Sequence, residues 1–142
     1  MAKIVFIGVF NDRSTNNSQS RAFQRLGHEV EEINYRSIRD RDKTIVNTRG
    51  DIFLFSKCNE IPLKVVYKVP GRTVLWYMDP VNGNFNQRLM DKICACDYSF
   101  MALHDSYIEA KKYNPDVHFL HEGYDDEIDK PYNIPKKHNV SF

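Results

Sequence analysis

The sequence has no excess of charge of either sign. Its 142 residues include 20 Lys and Arg and 19 Asp and Glu, which gives a formal net charge of +1. Nucleic acids and anionic membranes are bound by clustered basic residues. The balanced composition gives no electrostatic support for either kind of partner, and we predict that the chain does not bind nucleic acid.

Long hydrophobic runs are also missing. The apolar run near the start of the chain covers only residues 4–10 and contains a glycine, whereas a membrane-spanning helix needs about 20 mostly apolar residues. The run also lacks the cleavage site of a signal peptide. We therefore expect no transmembrane segment and a cytoplasmic protein.

Cysteine is rare, with Cys58, Cys94 and Cys96 as the three examples. An odd number of cysteines without a signal peptide favours free thiols in a reducing compartment. Cys94 and Cys96 form a C-x-C pair, but no second Cys or His pair has the spacing of a metal site. We predict no metal centre, and we expect Cys94 to lie on the buried face of a helix end.

Glycine is scarce where a dinucleotide-binding protein needs it. The first apolar run contains Gly8 alone and is followed by the polar stretch NDRSTNNSQS (11–20). A G-x-G-x-x-G motif is needed for the backbone to approach a pyrophosphate, so NAD and FAD are disfavoured. The many hydroxyl and amide groups of this stretch suit a sugar or another polyol, although a solvated surface loop would have the same composition.

Short apolar runs alternate with amphipathic segments along the chain. KIVFIGV (3–9) and DIFLFSK (51–57) are typical of strands buried on both faces of a parallel sheet. The first helix is expected to be capped by Asn17, Ser18 or Ser20 and to end at Gly27. Further strands are predicted at 28–35, 72–79, 97–103 and 116–123, and further helical segments at 36–50, 60–69, 84–95 and 105–115.

Six strands and five helical segments in alternation indicate an α/β fold. Short connections and right-handed crossovers favour a doubly wound parallel sheet. We predict the strand order 3-2-1-4-5-6. In such sheets ligands bind beyond the carboxyl ends of the strands, and the candidate site residues are therefore sought in the loops that follow the strands.

Two titratable side chains stand out in these loops. Asp79 follows an aromatic and apolar strand, so its carboxylate could accept hydrogen bonds from hydroxyl groups or act as a base; it could equally cap the following turn. His104 follows the fifth predicted strand and opens a helix, where a neutral imidazole is favoured. It could contact a ligand or act as a base, or it could be a half-buried loop histidine.

The segment HFLHEGYDDEIDKPY (118–132) carries a family resemblance. It resembles the junction between the two domains of GT-B glycosyltransferases of the GT4-like kind, in which Asn-Gly-Val-Asp is followed by a large apolar residue and a proline. Here Glu122-Gly123-Tyr124-Asp125 is followed by Ile128 and Pro131. Glu replaces the family's Asn, and the spacing to the proline is looser.

Three other segments resemble the same enzymes. AFQRLGHEVEEIN (22–34) is similar to the helix–Gly–His–strand segment near the start of many such transferases. VLWYMDPVN (74–82) and CDYSFMALHDSYIEAKKY (96–113) resemble the CgeB-like glycosyltransferases of spore maturation. The resemblance covers essentially the whole chain, and the order of the segments is more specific than any one of them.

The resemblance implies the amino-terminal half of a GT-B enzyme. Residues 1–125 would form a Rossmann-like domain that binds the acceptor, and residues 126–142 would form a linker and the start of a second domain that binds a nucleotide-sugar donor. The donor is a co-substrate, and neither a cofactor nor a metal is implied. This fragment alone would be inactive, because half of the active site would be missing.

The resemblance also suggests roles for residues in the strand-end loops. Asp79 and His104 would be catalytic, with Asp12 as a further candidate, and Glu122 and Gly123 would line the cleft between the domains. The sugar or glycan acceptor would contact Asn11, Asp12, Arg13, Ser14, Asn82 and Asp105. The alternative is a stand-alone Rossmann-like module that binds a small molecule, a nucleotide or another protein without catalysis.

Overall fold

The structure is a computed structural model, and it describes residues 1–81, 86–125 and 129. The predicted linker, residues 126–142, lies outside the described residues except for Asp129. Asn82, Ile128 and Pro131 also lie outside them. Within the described part of the chain no helix is long and apolar enough to span a bilayer.

The chain alternates strictly between strands and helices. The strands are β1 (Lys3–Gly8), β2 (Glu29–Asn34), β3 (Ile52–Ser56), β4 (Arg72–Tyr77), β5 (Tyr98–Met101) and β6 (Val117–Phe119). The helices are α1 (Thr15–Arg25), α2 (Arg41–Asn47), α3 (Leu63–Val66), α4 (Gln87–Ala95) and α5 (His104–Ala110).

The six strands form one parallel sheet, which confirms the predicted α/β class. The predicted strand order is wrong, because the observed order is β2-β1-β3-β4-β5-β6. β2 is at the edge and carries Glu29, Glu31 and Glu32, and charged side chains are typical of edge strands. β3 has four buried residues among five. The predicted order would have exposed this apolar strand at the edge and buried the glutamates.

Two apolar clusters cover the two faces of the sheet. The larger cluster joins Val5, Phe53 and Leu75 to buried residues of α2, α3, α4 and α5. The smaller cluster contains Ile4, Phe6 and Leu54, with Phe23 of α1 packed against it. Helices therefore lie on both faces, which confirms that the sheet is doubly wound.

The start of the first helix differs from the prediction, whereas its end is confirmed, because α1 ends at Arg25 and Gly27 follows it with a φ of 85°. α1 is capped by Ser14, whose side chain accepts a hydrogen bond from the Asn16 backbone N–H, and not by Asn17, Ser18 or Ser20. Ser14 caps the helix because α1 begins at Thr15, closer to β1 than the apolar pattern indicates.

The placement predicted for Cys94 is also wrong. Cys94 is exposed, whereas Cys58 and Cys96 are buried, and all three thiols are free. Leu89 and Ile93 set the buried face of α4. Cys94 directly follows Ile93, a rotation of about 100° for an α-helix, which turns it out of the core.

Candidate functional site

A crevice lies at the carboxyl ends of the central strands. The chain passes from β1 to β2 on one side of β1 and then crosses over to β3 on the other side. This reversal is the position where doubly wound sheets bind ligands. The crevice has a volume of about 280 Å³ and is lined by Val9, Ser14, Thr15, Asn16, Tyr35, Arg36, Ser56, Lys57, Asn59 and Asp79.

The first wall of the crevice is a hydrogen-bonded link between α1 and β3. The buried side chain of Asn16 donates from Nδ2 to the Val9 carbonyl at 2.9 Å, and its Oδ1 accepts from Ser56 Oγ at 2.8 Å. A Cβ atom on Gly8 would lie 2.4 Å from Asn16 Nδ2. Glycine at position 8 therefore permits the close approach that holds this wall in place.

The opposite wall is a turn with unusual backbone angles. Lys57 and Cys58 have φ values of 61° and 49°, in the left-handed region that non-glycine residues rarely adopt. Such conformations persist only where the surroundings enforce them, and they concentrate at ligand sites. The Lys57 N–H donates to the Trp76 carbonyl at 3.0 Å, which fixes the start of the turn against β4.

The turn directs Lys57 toward Asp79. Lys57 Nζ lies 2.5 Å from Asp79 Oδ1, and the two side chains are 41% and 48% exposed. Asp79 therefore faces the crevice, as the sequence predicted, but one of its oxygens already accepts a hydrogen bond from an ammonium group. A half-exposed ion pair of this kind contributes at most about 1 kcal/mol to stability, so a ligand could displace it.

The rim beside β2 consists of an aromatic ring and a group of ion pairs. Burial, followed by the proximity of Cys58, raises the pKa of the Tyr35 hydroxyl. The Arg36 guanidinium lies over the Tyr35 ring at 5.6 Å from its centroid and forms an ion pair with Glu60 at 2.8 Å. Arg41 shares the same carboxylate at 3.4 Å and also pairs with Asp42 at 3.5 Å, so the two guanidinium groups are matched by two carboxylates.

His104 lies in a different cluster. It is the first residue of α5 and is exposed, and its ring centroid is 6.1 Å from that of Tyr107 and 5.7 Å from that of Phe119. His121 meets the same phenylalanine at 5.7 Å. His104 therefore belongs to an aromatic surface beyond β6, and the structure does not place it among the crevice residues that include Asp79.

The other predicted acceptor contacts have mixed placements. Asn11, Asp12 and Arg13 are exposed in the loop before α1, where the Arg13 N–H donates to Asn11 Oδ1 at 3.0 Å. Ser14 lines the crevice, although its hydroxyl already donates to the Val9 carbonyl and accepts from the Asn16 N–H. Asp105 is exposed in the first turn of α5.

Glu122 and Gly123 line a second cavity, of about 380 Å³, between α1 and the segment that follows β6. Asp125 fastens this segment to the helix. Its carboxylate is 1% exposed and forms ion pairs with Arg21 at 3.0 Å and with Arg25 at 3.3 Å.

The sequence predictions name none of three residues that shape the crevice, although Asn16 belongs to the polar stretch 11–20 that suits a polyol. Lys57 directly follows β3, and the rule that strand ends carry ligand contacts could have indicated it. Its pairing with Asp79 depends on the adjacency of β3 and β4. Asn16 and Tyr35 are buried within the site, and the local sequence carries no signal that distinguishes them from ordinary cap and core residues.

No family model matches this sequence, and no protein of curated function matches it. Among the residues that the structure describes, no group of three or more His, Cys, Asp or Glu residues could hold a metal ion.

Proposed function

We propose that this chain is the acceptor-binding domain of a GT-B glycosyltransferase, an enzyme that transfers a sugar from a nucleotide-sugar donor to a hydroxyl acceptor. The observation that supports the proposal is the polar crevice at the point where the strand order reverses. Amide, hydroxyl, ammonium and carboxylate groups meet in it, and such a mixture of donors and acceptors suits the hydroxyl groups of a sugar.

Asp79 would receive the proton of the attacking acceptor hydroxyl. Lys57 Nζ donates a hydrogen bond to one carboxylate oxygen of Asp79. The acceptor would bind to the other oxygen or displace the ammonium. His104 would contact a part of the acceptor that extends over the aromatic surface beyond β6. The resemblance implies that a second domain binds the donor, with closure of the two domains excluding water.

Binding by this chain tests the acceptor half of the proposal. In an amide NMR titration with a panel of oligosaccharides, we expect a ligand to shift the resonances of Asn16, Lys57 and Asp79. Lys57→Met and Asp79→Asn should weaken binding, whereas Asp116→Asn should not, because Asp116 is exposed at the opposite edge of the sheet. Ligand-induced shifts confined to other regions would contradict the assignment of the crevice.

Catalysis requires a protein that includes the proposed donor domain. In such a protein, hydrolysis or transfer of a nucleotide-sugar should be measured with Asp79→Asn and with Asp116→Asn as its control. Loss of a catalytic base lowers the rate by about 10²–10⁴-fold. His104→Ala and His118→Ala form a second pair, because both histidines are exposed. His104→Ala should mainly raise the acceptor KM.

A binding module without catalysis is the second candidate, and the Lys57–Asp79 ion pair favours it. A carboxylate that is already paired at 2.5 Å can orient a ligand without acting as a base. In that case Asp79→Asn would change only ligand affinity. Ligand binding in the crevice without any measurable hydrolysis or transfer of a nucleotide-sugar would favour this second function.

A further inference from the structure

A buried lysine lies directly behind the crevice. Lys92, on α4, is 2% exposed, and burial lowers its pKa. An ammonium group that is removed from water costs several kcal/mol unless hydrogen bonds compensate. The described residues place no carboxylate within ion-pair distance of Lys92, so neutralisation by a partner of opposite charge does not explain its position.

The hydrogen bond of Lys92 indicates its role. Lys92 Nζ donates to the backbone carbonyl of Cys58, the second of the two left-handed residues in the crevice wall. A left-handed conformation costs about 1–2 kcal/mol for each non-glycine residue. The charged donor of α4 therefore binds the backbone at one of its two left-handed residues.

Other contacts hold the same turn from its remaining sides. The Ile61 N–H donates to the Cys58 carbonyl at 3.0 Å. Cys58 Sγ lies 3.1 Å from the Ile7 carbonyl oxygen and 3.2 Å from the Ser56 carbonyl oxygen. Among these contacts, Lys92 supplies the one charged side chain, and hydrogen bonds to charged groups are the stronger ones.

We propose that Lys92 is a positioning residue of the crevice. It holds the Lys57–Cys58 turn in its left-handed conformation, and the turn in turn directs the Lys57 ammonium toward Asp79. Loss of the Lys92 ammonium would let the turn relax and would withdraw Lys57 from the ligand site. The effect on ligand affinity depends on the proposed function, whereas the effect on the turn does not.

The three cysteines provide an internal test. Cys58 reports opening of the turn, Cys96 is buried at the end of α4, and Cys94 is exposed. Alkylation of each thiol under native conditions can be followed by mass spectrometry. Lys92→Met should raise the ratio of the Cys58 rate to the Cys96 rate by about tenfold or more, since a hydrogen bond to a charged group is lost.

Matched variants separate positioning from general destabilisation. Lys68→Met removes an exposed lysine from the segment after α3 and should leave the ratio of rates unchanged. Lys92→Arg keeps a cationic donor and should restore the ratio in part. The backbone carbon chemical shifts of Lys57 and Cys58 should move away from left-handed values in Lys92→Met, while those of Phe55 in β3 stay constant.

An unchanged ratio and unchanged shifts in folded Lys92→Met would overturn the proposal. If that variant does not fold, the wild type decides the question. The Lys92 ammonium protons should exchange slowly with solvent and show scalar coupling to the Cys58 carbonyl carbon, and rapid exchange without coupling would contradict the proposal. None of these measurements uses a ligand, so they can succeed or fail independently of the glycosyltransferase function.

Discussion

Lys57 occupies a backbone conformation that favours glycine, yet its side chain forms part of the crevice. The residue has a φ of 61°, where a Cβ atom is close to the carbonyl oxygen that follows it. A glycine would relieve the strain but would remove the ammonium group that faces Asp79. The lysine side chain supplies an ammonium group that glycine could not, which fits a ligand-binding role.

Comparison of alanine with glycine isolates the backbone contribution at Lys57. Lys57→Gly should be more stable than Lys57→Ala by about 1 kcal/mol, because only the alanine variant keeps the Cβ clash. At Lys43, an exposed residue within α2, the order should reverse by about 1 kcal/mol. Chemical denaturation of the four variants measures both differences, and the same order at both sites would exclude strain at Lys57.

Asp97 should make the stability of the protein depend on pH in the acid range. Hydrogen bonds from the backbone N–H of Thr73 at 2.8 Å and from its hydroxyl at 3.0 Å, together with the charge of Arg72, hold the pKa of Asp97 below its usual value of 3.8. A depressed pKa stabilises the folded state above pH 3.8, and this contribution is lost as the pH falls through the lower, folded-state value.

The variant Asp97→Asn should therefore be less stable than the wild type at neutral pH by about 1 kcal/mol. The difference should shrink as the pH falls below 3.8, because the wild-type carboxylate then becomes protonated. Urea unfolding between neutral pH and pH 3 measures this trend. Asp116→Asn is the control, and a constant difference for Asp97→Asn across the range would show that the charge has no role.

At the scale of elements, the link between β1 and α1 determines the shape of the crevice. Gly8→Ala would place a Cβ 2.4 Å from Asn16 Nδ2, and Asn16 cannot move freely because it is hydrogen-bonded to Val9 and to Ser56. We expect a loss of about 1–3 kcal/mol in the free energy of unfolding together with weaker ligand binding.

Gly123→Ala is the matched control for Gly8→Ala. No atom lies within 4 Å of the Cβ position at Gly123, so this substitution should be nearly neutral. Thermal unfolding compares the two variants, and amide chemical shifts of Asn16 and Ser56 report the local change. Equal stability of the two variants would show that the crevice wall adapts more readily than its hydrogen bonds suggest.

Much of the element pattern could be predicted from the sequence, because apolar runs and polar loops alternate without ambiguity. The strand order could not be predicted as readily. The predicted order follows a general preference of doubly wound sheets. The glutamates of β2 and the continuous apolar run of β3 are the sequence features that place β2 at the edge. The strand order depends on how much of each strand is buried, and the count of strands does not reveal it.

The candidate site was predictable in part. Asp79 follows a strand end, and its place in the crevice follows from that rule. The contribution of Lys57 depends on backbone angles, and that of Lys92 depends on the packing of α4 against α3 and β5. Although the position of Lys57 at a strand end follows from the same rule as that of Asp79, both contacts are tertiary effects. The same holds for the separation of His104 from Asp79, because sequence alone does not give the direction of each side chain.

At the scale of the whole molecule, Asp125 fixes the course of the chain after the last strand. Asp125→Ala would remove a buried carboxylate from Arg21 and Arg25 and should release residues 120–125 from α1. Hydrogen exchange at Leu120, whose N–H donates to the Met101 carbonyl at 3.0 Å, should rise by about tenfold or more, given the usual strength of charged hydrogen bonds. Asp116→Ala is the control and should leave this exchange unchanged. If Asp125→Ala also left it unchanged, apolar contacts rather than the ion pairs would hold the segment on α1.

The order of the strands has a consequence for the synthesis of the chain. From β4 onward, each strand pairs with the strand made immediately before it, since the order continues β3-β4-β5-β6. Among the six strands that the structure describes, only the passage from β2 to β3 must reach across an existing strand. A chain that leaves the ribosome from its amino terminus could thus form the long-range pairing of β1 with β3 once the first three strands are made. Each later strand would then pair with the strand made just before it.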